Sequence, residues 1–127
     1  MNFTNFVIKL IHKYGWKPKA KVYKALLTQI SNNAPVAIVL ENTLGGEVVW
    51  TRDEESLYSG TISVPISDNV ANLTDSSYMS INGAGILTSY VNNSIISISS
   101  FEIDGTIVGV EMNTAIPITV YIEVYPE

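Results

Sequence analysis

Apolar and polar residues follow two different rhythms along this chain, and the change comes near Ala20. Before it, Phe3, Phe6, Val7, Leu10, Ile11 and Tyr14 recur at i, i+3, i+4, i+7, i+8 and i+11, the spacing of one apolar stripe on a helix. Asn5, Lys9, His12 and Lys13 occupy the other side. Asn2 or Thr4 is placed to cap the start, Gly15 to end the helix, and Pro18 to prevent its resumption. The spacing thus predicts a short N-terminal amphipathic helix of about three turns. A helix of that length is marginal alone in water, so its stripe needs a surface to cover.

After Ala20 the rhythm is that of strands. Lys21 to Ile30 mixes β-branched, aromatic and aliphatic residues and ends at the turn cluster Ser31-Asn32-Asn33. Pro35 opens a second run, Val36 to Leu40, and Gly45-Gly46 between it and Val48-Val49-Trp50 predicts a hairpin. Asp53-Glu54-Glu55 reads as a solvated turn before the run Leu57 to Val64. Ser67 to Ser80 is polar and weakly patterned, as in a long connection that crosses between sheets. Beyond it, turn residues at Asn82-Gly83, Asn92-Asn93, Asp104-Gly105 and Asn113 separate the runs Ile86 to Val91, Ile95 to Ile103 and Thr106 to Met112. Asp104-Gly105 is the strongest hairpin signal. The last run alternates Ile118, Val120, Ile122, Val124 with Thr119, Tyr121, Glu123, Tyr125, a strand with one buried face.

About eight strands at this turn spacing, with no crossover helix among them, predict a mostly β protein: an antiparallel β-sandwich, jelly-roll-like, with a short N-terminal amphipathic helix. The expected division is a basic arm over 1–19 and a β-sandwich domain over 20–127. At 127 residues such a domain can bury a core without metal or disulfide staples.

Charge sharpens the division. Six of the seven basic residues, Lys9, Lys13, Lys17, Lys19, Lys21 and Lys24, precede every acidic residue, whereas the remainder sets Arg52 alone against twelve carboxylates. Split at Lys24, the chain is a +6 segment followed by a −11 body. Only 15% of residues are charged, against about 25% in typical soluble domains. Such a surface suits subunit contacts, where charge is depleted, and a homo-oligomer is expected. The arm's contacts with a partner or membrane are expected at Phe3, Phe6, Lys9, Lys13, Trp16, Lys17, Lys19 and Lys21. Three surfaces fit it: its own domain or a neighbouring subunit, anionic lipid with Trp16 at the boundary, or nucleic acid. Nucleic acid is the weakest, because the arm has no arginine and the acidic body repels the same polyanion. The charges interrupt the apolar residues and no small-residue cleavage site follows, so no secretory signal is expected.

Candidate chemistry is sparse, and an enzyme is not expected. With no cysteine and one histidine, His12 on the arm, thiolate sites, histidine metal clusters and a histidine-assisted nucleophile have no ligands or base. Gly83-Ala84-Gly85 lacks the lysine and helix of a phosphate loop. Asp68, Asp75, Glu102 and Asp104 offer oxygens from loops without the spacing of a calcium loop. No cofactor or metal is expected. Trp50, Tyr58, Tyr78 and Tyr90 suggest a sugar-binding groove, or else half-buried strand positions.

The segments Tyr23-Lys-Ala-Leu-Leu-Thr-Gln29, Asn33-Ala-Pro-Val36, Val39-Leu-Glu-Asn-Thr-Leu-Gly-Gly46, Val49-Trp-Thr-Arg52 and Tyr58-Ser-Gly-Thr61 resemble small uncharacterised proteins of Bacteroidetes phages and prophages. The likeness covers about Tyr23 to Val64 and implies a viral context, with no catalytic residue to carry over. It leads to the expectation of a non-enzymatic bacteriophage virion structural protein of the capsid vertex, penton, spike-base or minor capsid type, located in the virion. Such a subunit would self-assemble and dock through its basic arm onto other virion proteins or an internal membrane. The alternative is a carbohydrate-binding or adhesin-type β-sandwich module.

Overall fold

A computed structural model describes residues 19–104 and 106–127 as ten strands in two antiparallel sheets. The predicted helix lies outside the described residues. The strands are β1 (Lys21–Thr28), β2 (Val36–Asn42), β3 (Val48–Glu54), β4 (Leu57–Ile62), β5 (Val70–Asn72), β6 (Ser77–Ser80), β7 (Gly83–Asn92), β8 (Ile95–Asp104), β9 (Thr106–Gly109) and β10 (Ile118–Val124). One sheet runs β2-β1-β10-β5, and the other runs β3-β4-β8-β7-β6 with β9 also paired to β8.

Period-two patterning decides which side chains meet between the sheets. On β10, Ile118, Val120, Ile122 and Val124 are buried, and on β1 the buried set is Tyr23, Ala25 and Leu27. The facing sheet contributes Trp50, Tyr58, Ile62, Leu87, Ile96 and Ile98 to the same apolar cluster. Burying an aliphatic side chain of this size contributes about 1.5–3 kcal/mol relative to leaving it exposed, so these inward rows fix both register and facing. A hydrogen bond from Trp50 Nε1 to the Tyr23 hydroxyl (3.1 Å) ties the sheets together inside the core.

Two aromatic side chains need glycine opposite them. Trp50 pairs with Gly60 and Tyr78 with Gly85. A Cβ on Gly60 would stand 2.9 Å from the Trp50 ring, and one on Gly85 would collide with the Tyr78 ring. Each ring lies flat over a bare stretch of the neighbouring strand.

Local turn chemistry sets the hairpins. Asn93 and Ser94 both have positive φ (50° and 66°), as the tight turn between β7 and β8 requires. Ser56 (φ 69°) closes the β3–β4 hairpin, where Asp53, Glu54 and Glu55 are exposed as the charge run predicts. The β8–β9 hairpin forms at Asp104, also as expected.

The expected connection over Ser67 to Ser80 does cross between sheets, and it carries two short strands of its own, one in each. The hairpin expected at Gly45-Gly46 is not formed. β2 and β3 belong to different sheets, and the chain between them turns a corner, with Leu44 buried there and its N–H bonded to Asn42 Oδ1 (3.0 Å). The strand count rises from about eight to ten because β5 and β6 are too short to leave a periodic signature.

Candidate assembly surface

The surface that stands out is an edge. Pro35 precedes β2 and fixes the chain into an extended entry, after which Val-Ala-Ile-Val-Leu runs with no polar interruption. β2 pairs with β1 along one side only and ends its sheet. Val36, Ile38, Val39 and Leu40 are 64%, 61%, 51% and 54% exposed. Ile38 lies opposite Leu26 on the outer face, whereas Val39 lies opposite the buried Ala25 and is still half exposed. So β2 overhangs the core, offering apolar side chains on both faces and unpaired backbone groups along its rim.

The other edges are shorter or interrupted. Past β5, which is only three residues long, Leu73 and Asp75 donate their N–H groups to Tyr121 and Thr119 carbonyls, extending its pairing along β10, and Asn72 reaches Ser89 on the facing sheet (3.0 Å). Beyond β6, Ala115 donates to the Met79 carbonyl and Ile81 to that of Asn113, and Thr114 in turn donates to Gln29. Segment 113–115 therefore bridges one sheet to the other. Edge β3 places Arg52 on the inward face and has a bulge between Arg52 and Glu54.

Arg52 is held by the most polar cluster in the molecule. Its Nε donates to Glu111 Oε1 (2.5 Å), forming the one ion pair among the described residues. Glu111 Oε2 accepts from the Tyr58 hydroxyl (2.5 Å) and from Gln29 Nε2 (3.1 Å). Tyr58 also accepts from the Met112 N–H, and Gln29 Oε1 from that of Asn113. Burial, with the bond to Glu111 second, pushes the Tyr58 hydroxyl up to about 12, and the bond to Glu111 raises the Arg52 guanidinium further above its usual value. Every buried polar side-chain atom among the described residues has a partner. A carboxylate occupied at both oxygens is a poor general base, and the cluster acts as a clamp joining β1, β3 and β4 to the chain at Glu111.

The outer face of the β2-β1-β10-β5 sheet carries a second charged group. Glu123 accepts from the Tyr121 hydroxyl (2.8 Å) and the Tyr125 hydroxyl (2.5 Å), which hold its carboxyl below the usual range, the Tyr125 bond contributing more. Lys24 sits 5.2 Å from the centre of the Tyr121 ring and lies opposite Glu41 on β2.

Of the residues expected to form the arm's contacts, Phe3, Phe6, Lys9, Lys13, Trp16 and Lys17 lie outside the described residues. Lys19 and Lys21 are exposed, Lys21 as the first residue of β1. They line a cavity of about 210 Å³ with Pro65, Ile66, Val124 and Tyr125, at the end of the sandwich where the arm joins it. The four aromatics of the sugar-groove expectation do not share a face: Trp50, Tyr58 and Tyr78 are core residues and Tyr90 alone is exposed. Asp68, Asp75 and Glu102 form no metal-holding group among the described residues, and the Asp104 side chain lies outside them. No described helix is long and apolar enough to cross a membrane. Sequence reasoning missed the β2 residues as a site, although the signal was present. A five-residue apolar run without alternation, in a sheet with one wet face, must leave half its side chains outside.

Comparison of the chain with protein-family models, curated proteins and solved structures gives no match.

Proposed function

We propose that the protein is a non-enzymatic structural subunit of a bacteriophage virion, of the vertex, penton, spike-base or minor capsid type, which self-assembles through its β body and docks through its basic arm. The observation that carries this reading is the apolar edge β2, uncovered among the described residues, since four side chains more than half exposed along one strand favour contact with another chain. The phage resemblance of the Tyr23 to Val64 block supports the viral setting. The charge partition supports the arm's role, because an oligomer gathers several arms of four lysines each, Lys9, Lys13, Lys17 and Lys19, into one multivalent anchor. A jelly-roll-like topology is supported by the pairing of the first strand with the last and by the order β4-β8-β7-β6, a Greek-key arrangement.

The test is to purify particles from a lysate in which the protein is expressed and to measure its copy number by mass spectrometry. A fixed number per particle is expected. Expression in the cell with no protein in the particles would end the virion reading. Flotation with anionic liposomes, with and without residues 1–18, separates a lipid-bound arm from a protein-bound one.

A further inference from the structure

Building on the self-assembling reading, we propose that β2 pairs antiparallel with β2 of a second copy about a two-fold axis at Ile38, fusing two four-stranded sheets into one continuous sheet.

A strand at the end of a sheet has alternate N–H and C=O groups with no partner, and a second strand supplies them only if its side chains are compatible. β2 is compatible with itself. With the axis at Ile38, Ile38 lies opposite Ile38 of the second copy, Ala37 opposite Val39, and Val36 opposite Leu40, all apolar. Glu41 then falls beside Pro35 of the second copy, at the margin where proline has no N–H to offer and the ladder stops. Sliding the axis to Glu41 would set two carboxylates against each other, so charge and proline together choose the register. Glu41 is exposed and falls at the margin of the contact, so its carboxylate remains in water.

A copy of the chain fits better than a foreign strand because the apolar run Val36 to Leu40 matches itself about Ile38, as a two-fold contact demands, and the one irregularity of β2, at Leu40, lies at the end of that run. The second copy would also cover Val39, whose inward position leaves it half exposed in the single chain. The other edges offer less: β3 presents an inward arginine and a bulge, β5 and β9 are only three and four residues long, and β6 is bridged by segment 113–115.

Sedimentation velocity of the full-length protein over a wide concentration range, at low and high salt, tests the proposal. A dimer is expected that high salt leaves intact or strengthens, because the contact is apolar and both bodies are acidic. Ile38→Lys, which sets like charges opposite each other, should weaken it by about 100-fold or more. Val49→Lys, at a similarly exposed position on β3, should leave it unchanged. The chain has no cysteine, so Ile38→Cys should oxidise to a single disulfide-linked dimer, and this variant decides the matter if Ile38→Lys fails to fold. An oligomer that salt dissolves, or that survives Ile38→Lys, would overturn β2 pairing while leaving self-assembly in place. A monomer under all conditions would overturn both.

Discussion

β2 and β3 are both long edge strands, one in each sheet, and they treat the same hazard in opposite ways. β3 ends in Arg52, Asp53 and Glu54, aims its arginine inward to Glu111, and breaks its ladder with a bulge. These are the usual protections of an edge against other chains. β2 places its single charge, Glu41, near one end and leaves Val36 to Leu40 bare; its own irregularity, opposite Lys24 and Ala25, also lies toward that end. One molecule therefore has a guarded edge and an open one. That asymmetry argues that the open edge has a use, since the same chain shows how an edge is closed.

The largest way to disturb the contrast is to remove the anchor of the guarded side. Glu111→Ala strips Arg52, Tyr58 and Gln29 of their shared acceptor and should cost about 3 kcal/mol of stability, read as a lower urea midpoint. Midpoints within error of wild type would show that the clamp is ornamental. Next, Gly60→Ala pushes the Trp50 ring off its strand and should destabilise by about 1–3 kcal/mol, with a change in tryptophan near-ultraviolet dichroism.

A smaller effect, about 1–2 kcal/mol, is expected for Tyr58→Phe, which keeps the ring but loses the hydroxyl's bonds to Glu111 and Met112. It also carries a pH signature. The Tyr58 hydroxyl titrates near 12 when folded and near its ordinary 10 when unfolded, so above pH 10 the unfolded chain gives up this proton first. Its contribution is complete below pH 10 and disappears as pH rises toward 12. Stability of Tyr58→Phe should fall less steeply than wild type across that window, and parallel curves would refute the assignment.

Much of the architecture was legible because period-two patterning has a direct physical cause. The alternation of β10 specified its buried face residue by residue, and Asp53 to Glu55 were correctly read as exposed. The Gly45-Gly46 hairpin failed because glycine marks a bend without stating whether the strands on either side share a sheet; the buried Leu44 was the clue to a corner. Trp50, Tyr58 and Tyr78 suggested a groove because residue type was considered apart from strand parity, which sends all three inward. The clamp was invisible, since Gln29, Arg52 and Glu111 meet only through long-range folding. The open edge is legible in Val36 to Leu40, whose lack of alternation places apolar side chains on both faces of the strand.

Amide hydrogen exchange followed as protein concentration is raised puts the contrast between the two edges to the most direct test. The account predicts that those β2 amides not bonded to β1 gain protection with concentration, while the β3 amides exchange at an unchanged rate. Exchange along β2 that stays independent of concentration, or protection gained on β3 instead, would contradict it.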